Sequence, residues 1–377
     1  MGACCSCQMG TRLRGGLSGD HCIGHNDNNE AEDDGQVIAI GAYGARIRLR
    51  GSTKFVSMFS RKGRKGTNQD AMTVWEDFGG NRGVVYCGVF DGHGPSGHKV
   101  SRYVRDTLPS KLSWLLRGSH IRGRTCANRV YGFGDEVINV NDSKDPVLYS
   151  WKTSIARSFK EMDDRLEAHR SIDSYCSGST CVSVLKHGEN LIIANVGDSR
   201  ALLCTRHGNQ LHPIQLTVDL KPQTQGEYER IKRCGGRVGA MGHEPSIYRV
   251  WMPDQDCPGL AMSRAFGDFC LKDYGLISVP NVYYHKLTEQ DEFVVLATDG
   301  VWDVLKNEEV VKIVWSVNKR SMAARFVVDY AVRAWRQKYP ASKIDDCTVV
   351  VLFFKKRLCL ANSAPEEINL GSNQDLL

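Results

Sequence analysis

Residues 86–94 read YCGVFDGHG, an apolar, strand-like run that ends in an acidic residue, Asp91. Three other β-branched runs have an acid at one end: LIIANVGDSR (191–200) with Asp198, FVVLATDGVWD (293–303) with Asp299, and CTVVVLFF (347–354), which follows Asp345. A carboxylate at the edge of a buried strand is unfavourable unless a nearby positive charge compensates it. Several of them, brought together by a sheet, form an oxygen-lined cavity that suits Mg²⁺ or Mn²⁺. The sequence therefore predicts a metal-dependent enzyme.

Ordinary turn chemistry is the alternative for each of these positions taken alone. Asp bonds its own backbone and Gly adopts positive φ, so the Asp-Gly pairs at Asp91 and Asp299 are also typical of tight turns. The turn interpretation does not explain why a histidine, His93, follows the first pair, nor why acids recur at four strand ends. The pattern as a whole favours a site.

A resemblance to a known family rests on seven segments that occur in order along the chain. They are GTNQDAM (66–72), VFDGHGPSG (89–97), SGSTCVSVL (177–185), ANVGDSRALL (194–203), LAMSRAFGD (260–268), ATDGVWDVL (297–305) and IDDCTVVVLF (344–353). Together they resemble the PPM/PP2C metal-dependent serine/threonine protein phosphatases, and within that family they look most like the plant branch. The resemblance covers residues 53–355.

The resemblance implies an α+β fold, a two-layer antiparallel β-sandwich flanked by helices (α-β-β-α), with the metals in a cleft at one end. Short β-branched runs agree with this, and helical spacing recurs at residues 98–116, 147–169 and 321–339. Periodicity alone does not distinguish this sandwich from an open α/β sheet. The run LIIANVGDSRALLCT predicts a hairpin through its GDS turn. Residues 117–147 and 242–258 are interpreted as surface loops, with Trp251 exposed.

The resemblance also assigns metal ligands to positions in this chain. Asp91 would bridge two ions of Mg²⁺ or Mn²⁺, the carbonyl of Gly92 would bind one ion, and Asp299 and Asp345 would bind the other. Asp70 would hold metal-bound water. Asp198 and Asp303 are candidates for a weaker third ion or for contacts that support the metal ligands, and capping or turn bonds are their alternative role.

His93 would act as the general acid, a role that suits imidazole because its pKa lies near neutrality. Two positions depart from the family pattern. Many members have Glu where this chain has Gln69, and Lys65 stands where an arginine often grips the phosphate, with Arg64 as a substitute. A weaker metal site and a looser phosphate clamp are expected. Ser263, Arg264 and Asp268 of SRAFGD are expected to support the site without taking part in the chemistry.

Composition limits the classes of function. The net charge of +6 over 377 residues gives no reason to expect nucleic acid as a partner. The family resemblance, in contrast, implies hydrolysis of phosphoserine and phosphothreonine through a water activated by two metal ions, and a monomeric enzyme is expected. The alternative is a membrane-tethered pseudophosphatase that binds phosphoproteins without turnover.

The fourteen cysteines lack the paired clusters of a zinc site, and free thiols are expected.

The N-terminus, MGACCSC, matches the N-myristoylation pattern at Gly2 and Ser6, and Cys4 and Cys5 are candidates for palmitoylation. Residues 1–52 are expected to be a disordered tether, 53–355 a phosphatase domain and 356–377 a tail. Because one acyl chain binds membranes only marginally, two are needed for stable anchoring. The expected location is the cytosolic face of the plasma membrane, at its inner leaflet. Without acylation, the location would be the cytoplasm or nucleus.

Overall fold

The computed structural model describes residues 37–121, 146–242, 244–257 and 259–354. Two antiparallel sheets dominate it. Across the first sheet, the strands are β1 (Val37–Ile40), β2 (Arg46–Arg50), β4 (Ala71–Glu76), β5 (Val85–Phe90), β8 (Cys181–His187), β9 (Asn190–Val196) and β15 (Asn281–Lys286). Across the second, they are β11 (Gln210–Gln215), β10 (Arg200–His207), β16 (Asp291–Ala297), β17 (Cys347–Phe353) and β3 (Val56–Arg61).

Two smaller sheets and seven helices complete the described chain. The small sheets are β14 (Phe266–Gly267), β7 (Gly178–Ser179) and β6 (Gly92–His93), and the pair β12 (Arg237–Met241) and β13 (Glu244–Trp251). The helices are α1 (Gly97–Ile121), α2 (Pro146–Glu167), α3 (Glu227–Arg233), α4 (Phe269–Lys272), α5 (Asp299–Trp302), α6 (Asn307–Ser316) and α7 (Ala323–Lys338). Short 3-10 turns lie at Ala42–Gly44, Phe78–Gly80 and Arg320–Met322.

The main core lies between the two large sheets. Val74, Val89 and Val184 of the first sheet pack in one cluster with Val294 and Val350 of the second. Side chains alternate between the two faces of a strand, so every second residue of β16 and β17 enters this cluster. The sheets therefore pack face to face as a sandwich.

Helices cover both outer faces of the sandwich. Phe293 and Val295, the alternate residues of β16, pack with Val328 and Trp335 of α7. On the other side, α1 and α2 cover the seven-stranded sheet, and Phe159 of α2 is fully buried there. Because the central strands are buried on both faces, their sequences are continuously apolar instead of alternating. The predicted α-β-β-α architecture is confirmed.

Three sequence expectations are wrong. Residues 37–50 were expected in a tether, but they form β1 and β2 at an edge of the seven-stranded sheet. LIIANV and ALLCT do not form a hairpin, because β9 and β10 lie in different sheets. Residues 242–258 are not a loop throughout, since β13 pairs with β12, and Trp251 is buried with its indole nitrogen donating to the Gly239 carbonyl at 3.0 Å.

Several expectations fall on residues outside the described ranges. These include the acylation signal at Gly2, Cys4 and Cys5, most of the expected loop at 117–147, and the tail at 356–377. Among the described helices, none combines the length and the apolar character that crossing a bilayer requires. Seven described cysteines are free, whereas Cys257 is disulfide-bonded, so the expectation of free thiols is wrong at that position.

Candidate metal centre

Four acidic residues meet at one end of the sandwich because of the order of the strands. β16 and β17 are antiparallel neighbours, so Asp299, just after β16, lies at the same edge as Asp345, just before β17. β5 and β9 both run antiparallel to β8, which brings Asp91 and Asp198 to one edge as well. Residues 197–199 join the end of β9 to the start of β10, beside the end of β16. The two edges therefore form one acidic cleft.

Electrostatics at Asp91 show how close these carboxylates are. Burial raises the pKa of Asp91 well above its usual range, and neighbouring negative charges raise it further. Those charges belong to Asp299, Asp70, Asp345 and Asp198. The structure thus brings five of the predicted acids within electrostatic reach of one another.

Asp70 and Asp345 each have hydrogen-bond donors at the carboxylate, and at Asp345 the backbone amide of Asp346 donates to Oδ1 at 2.9 Å. The Oδ2 atom of Asp70 accepts a hydrogen bond from the Thr298 hydroxyl at 2.9 Å, and the ammonium of Lys65 binds Oδ2 of Asp345. Burial nevertheless raises the pKa of both carboxyls, aided by the charge of Asp346 at Asp70 and of Asp299 at Asp345. Lys65, together with Lys221 beside Asp198, is too little positive charge for five carboxylates.

The donor set fits a hard divalent cation in residue type. Oδ1 of Asp70 and Oδ1 of Asp198 are buried and have no hydrogen-bond partner among the described residues, a costly state that a cation relieves. Gly92 has no space for a side chain, since a Cβ there would lie 2.4 Å from the carbonyl oxygen of Gly97. Within the described ranges, no three His, Cys, Asp or Glu side chains are positioned close enough together to bind one metal ion.

Asp198 lies at the same cleft with a different cation. Its Oδ2 atom is 2.5 Å from the ammonium nitrogen of Lys221, and its side chain is 1% exposed. Burial would lower the pKa of Lys221, but the charges of Asp198, Asp299 and Asp303 outweigh this and raise it. Asp198 and Asp303 therefore belong to the electrostatics of the cleft.

His93 contacts a buried acid, Asp268, that is not one of the five clustered carboxylates. Its Nε2 atom lies 2.6 Å from Oδ2 of Asp268, and both residues are at most 4% exposed. Burial alone would lower the pKa of His93, but the charge and hydrogen bond of Asp268 outweigh burial and raise it. Nδ1 of His93 has no partner among the described residues. The imidazole is thus anchored through one nitrogen and free at the other.

Comparison with known proteins shows the family of the chain. The family model "Protein phosphatase 2C" matches residues 56–338. The chain belongs to the protein phosphatase 2C family. It is therefore a protein phosphatase whose substrates are phosphoproteins, in a family that depends on Mg²⁺ or Mn²⁺.

Plant members of the protein phosphatase 2C family are similar over most of the chain. "Probable protein phosphatase 2C 65" of Arabidopsis thaliana is 52% identical over 95% of this chain and 89% of its own length. "Probable protein phosphatase 2C 6" of the same plant is 49% identical over 85% of this chain and 68% of its own. The solved serine-threonine phosphatase 2C of Toxoplasma gondii shares the fold, with a TM-score of 0.68 at 23% identity, over 86% of this chain and all of its own.

Gln69, one departure from the protein phosphatase 2C pattern, forms hydrogen bonds with the loop of residues 92–94. Its side-chain amide donates to the Gly94 carbonyl at 2.8 Å, and its backbone carbonyl accepts from the Gly92 amide at 3.2 Å and from the Ser101 hydroxyl at 2.5 Å. A glutamate could not donate to Gly94. Compared with a glutamate at this position, Gln69 therefore lacks a negative charge but donates a hydrogen bond that holds residues 92–94.

The basic loop beside the protein phosphatase 2C cleft is held by its backbone. Gly63 donates to Oδ1 of Asp346 at 2.7 Å, and the backbone of Arg64 donates to the Ile344 carbonyl at 2.7 Å. This places Lys65 against Asp345, whereas the side chain of Arg64 is exposed. Of the two predicted phosphate-binding residues, Lys65 contacts the acid cluster and Arg64 lies at the rim.

Sequence reasoning missed the roles of Asp268 and Asp346. Asp268 was expected only to support the site, yet it contacts His93 directly. Asp346 accepts hydrogen bonds from the backbones of Gly63 and Gln69, at 2.7 and 2.8 Å, and so ties two loops to the cleft. The acidic pair in IDDC was a signal for Asp346. No sequence signal linked Asp268 to a histidine 175 positions away.

Proposed function

We propose that this protein hydrolyses phosphoserine and phosphothreonine esters in proteins, using a water activated by two divalent cations. The observation that carries the proposal is the buried cleft in which Asp91 is surrounded by acids, with His93 two residues away. The solved relative from Toxoplasma gondii is named a serine-threonine phosphatase. A buried excess of carboxylates serves no purpose in a binding surface for anionic phosphate unless cations accompany it.

The proposed ligands are the carboxylates of Asp91, Asp299 and Asp345 and the carbonyl of Gly92. Asp70 would orient water beside them, since one of its oxygens is held by Thr298 and the other is free of protein partners in the described ranges. Two bound Mg²⁺ or Mn²⁺ ions would lower the pKa of a water and neutralise the phosphoryl oxygens. The weaker third ion would use Asp198 and Asp303.

Proton transfer is the proposed task of His93. Because Nε2 is occupied by Asp268, the proton that reaches the leaving oxygen is held at Nδ1. Lys65 and Arg64 would attract the phosphorylated segment from the rim, Lys65 as a point charge without the two-pronged geometry of an arginine. These roles divide the reaction between protein groups that lie on different loops.

A phosphopeptide assay tests the proposed function. Turnover of a phosphothreonine peptide with Mn²⁺ or Mg²⁺ is expected to disappear with EDTA, return with added metal, and be indifferent to okadaic acid. The matched control is the same peptide carrying phosphotyrosine, for which much slower turnover is expected. Activity that persists in EDTA, or equal rates on the two peptides, contradicts the proposal.

A pseudophosphatase remains the second candidate, and two contacts favour it. Lys65 binds Asp345, a proposed ligand, and the amide of Gln69 is occupied by Gly94 instead of contributing a negative charge. A pseudophosphatase would bind the phosphothreonine peptide in a metal-dependent way and release no phosphate. The same assay, read once as binding and once as phosphate release, separates the two candidates.

We also propose that acylation at Gly2, with Cys4 or Cys5 as the second site, holds the enzyme at the inner leaflet of the plasma membrane. The support is the sequence MGACCSC, because two acyl chains are needed for stable anchoring. Gly2→Ala is expected to move the protein from the membrane to the soluble fraction of cells, while Gly10→Ala, a matched control, leaves it at the membrane. Unchanged fractionation of Gly2→Ala contradicts anchoring.

A further inference from the structure

The thiols of two cysteines that are not disulfide-bonded, Cys176 and Cys270, are in contact near the His93–Asp268 pair. The sulfur atoms of Cys176 and Cys270 are 3.6 Å apart, although the residues are 94 positions apart in the chain. Cys176 is partly exposed, and Cys270 is 4% exposed. Neither thiol has a part in the proposed chemistry. The pair is therefore a feature of the fold that the phosphatase activity does not explain.

Backbone hydrogen bonds hold the two segments that carry the thiols next to each other. The amide of Cys270 donates to the Tyr175 carbonyl at 3.0 Å, and the amide of Asp268 donates to the Ser177 carbonyl at 3.0 Å. One hydrogen bond on each side of Cys176 thus holds residues 175–177 against Asp268 and the start of α4. A disulfide has an S–S bond of about 2.05 Å, so the sulfurs need to approach by only about 1.5 Å.

We propose that Cys176 and Cys270 form a reversible disulfide that lowers phosphatase turnover by displacing Asp268 and Gly178, the residues that pack against His93. In the first step, the Cys176 thiolate attacks glutathione disulfide and releases one glutathione. The Cys270 thiolate then attacks the Cys176 sulfur and releases the second glutathione. The two cysteines lose two electrons and two protons, and glutathione disulfide becomes two molecules of glutathione, so the exchange balances.

The segments that would shift are packed around the general acid without free space. Cys270 is two residues from Asp268, and Cys176 is two residues from Gly178. A Cβ on Gly178 would lie 2.0 Å from Oδ2 of Asp268 and 2.6 Å from Nε2 of His93. On the other side, a Cβ on Gly94 would lie 2.3 Å from the Cys176 carbonyl oxygen. A shift of either cysteine is therefore transmitted to the histidine or its partner.

The chemistry of the two thiols sets the conditions of the experiment. Burial raises the pKa of Cys176, and its contact with Cys270 opposes this only in part, so exchange is slow at neutral pH. Full-length protein is therefore brought to equilibrium in buffers of stated glutathione to glutathione disulfide ratio, at mildly alkaline pH. Peptide mapping without reduction detects the Cys176–Cys270 link directly and does not depend on activity.

The turnover measurement rests on the proposed function, and turnover by the fully reduced enzyme tests that function separately. In the oxidised wild type, the Cys176–Cys270 peptide appears and turnover of the phosphothreonine peptide falls by about tenfold or more, since a misplaced general acid forfeits part of its contribution. Dithiothreitol restores the rate. Cys176→Ser and Cys270→Ser keep their activity through the same oxidation. Cys234→Ser, which alters an exposed free cysteine, behaves as the wild type.

Three results overturn the inference. The first is an oxidised protein without the linked peptide, and the second is a linked protein with unchanged turnover. The third is a Cys270→Ser variant that loses activity on oxidation, because a mixed disulfide of glutathione on Cys176 would then be the inhibited form.

Discussion

Nε2 of His93 lies 2.6 Å from Oδ2 of Asp268, and the backbone of Asp268 is in the left-handed region at φ 53°. A non-glycine residue in this region is disfavoured, and the cost is sustained by the packing around it. Asp268 also carries an Oδ1 atom without a hydrogen-bond partner among the described residues. A strained, buried carboxylate that binds the candidate acid is a positioning residue for that acid.

Asp268→Asn is therefore expected to reduce turnover of alkyl phosphates more than turnover of p-nitrophenyl phosphate. The asparagine can still accept from the imidazole but supplies no charge, and we expect a loss of about 10- to 100-fold in kcat on the phosphothreonine peptide, with little change in KM. p-Nitrophenolate needs little protonation to leave, so its loss should be small. Asp273→Asn, an exposed neighbour, is the control. Equal losses on the two substrates would remove the positioning role.

His93→Ala should show the same substrate dependence with a larger effect. General-acid catalysis contributes about 10²- to 10⁴-fold, and we expect a loss in that range on the peptide. Because Asp268 acts through His93, the double variant His93→Ala, Asp268→Asn should be no slower than His93→Ala. Additive losses, measured as kcat of the three variants, would show that Asp268 acts independently of the histidine.

Asp345→Asn tests the metal cleft. Removing one proposed ligand charge should raise the Mn²⁺ concentration for half-maximal activity by about 100-fold or more, since loss of groups one step further from a metal already costs about 10- to 100-fold. Isothermal titration of Mn²⁺ provides the same comparison without turnover. Asp164→Asn, on the exposed face of α2 and paired with Lys160, is the matched control and should leave metal affinity unchanged. An unaltered affinity for Asp345→Asn contradicts its assignment as a ligand.

Glu227 predicts a pH dependence of stability away from the cleft. Burial would raise its pKa, but hydrogen bonds and charge from Arg264 and Arg230 outweigh burial and lower it from 4.5 to about 2. A lowered pKa in the folded state stabilises the fold above the unfolded pKa, and this stabilisation is lost as pH falls from 4.5 towards 2. The shift corresponds to roughly 3 kcal/mol at neutral pH.

Glu227→Gln should therefore unfold more easily than wild type at pH 7, and the difference should shrink as the pH falls through that window. Urea unfolding at a series of pH values measures it. Glu167→Gln, an exposed residue of α2, is the control and should show no such convergence. A gap between wild type and Glu227→Gln that is constant from pH 7 to pH 3 would contradict the ion-pair account.

Gln69→Glu restores the residue common in the family but should destabilise this chain without metal. The new carboxylate faces the Gly94 carbonyl and loses the 2.8 Å hydrogen bond that the amide donates. The Gly94 carbonyl keeps its 3.3 Å bond from the Gly97 amide, so the expected cost is that of one hydrogen bond, about 0.5–1.5 kcal/mol. Thermal unfolding in EDTA should show the loss, while the exposed change Gln290→Glu should not. Equal or greater stability of Gln69→Glu in EDTA would show that the bond to Gly94 is dispensable.

Strands and helices with strong patterns were predictable from the chain. The runs at β16 and β17 are apolar throughout because both of their faces are buried, and the three- and four-residue spacing in α2 places Phe159 in the core. The β9–β10 hairpin was predicted wrongly because a short Gly-Asp-Ser turn joins strands equally well within one sheet or between two. Residues 37–50 were missed because VIAI (37–40) is a short run after a polar segment and RIRLR (46–50) alternates apolar residues with Arg. Neither is recognisable as a strand until its neighbours in the sheet are known.

The sequence by itself determined which acids end strands, which histidine stands beside one of them, and the family to which the chain belongs, since these depend on residue type and spacing. Tertiary structure alone decided that Asp268 holds His93, that Gln69 bonds to Gly94, and that Cys176 touches Cys270. The physical reason is distance along the chain. Local spacing reports contacts within a few residues, whereas contacts between residues 94 or 175 positions apart depend on how whole sheets and loops pack.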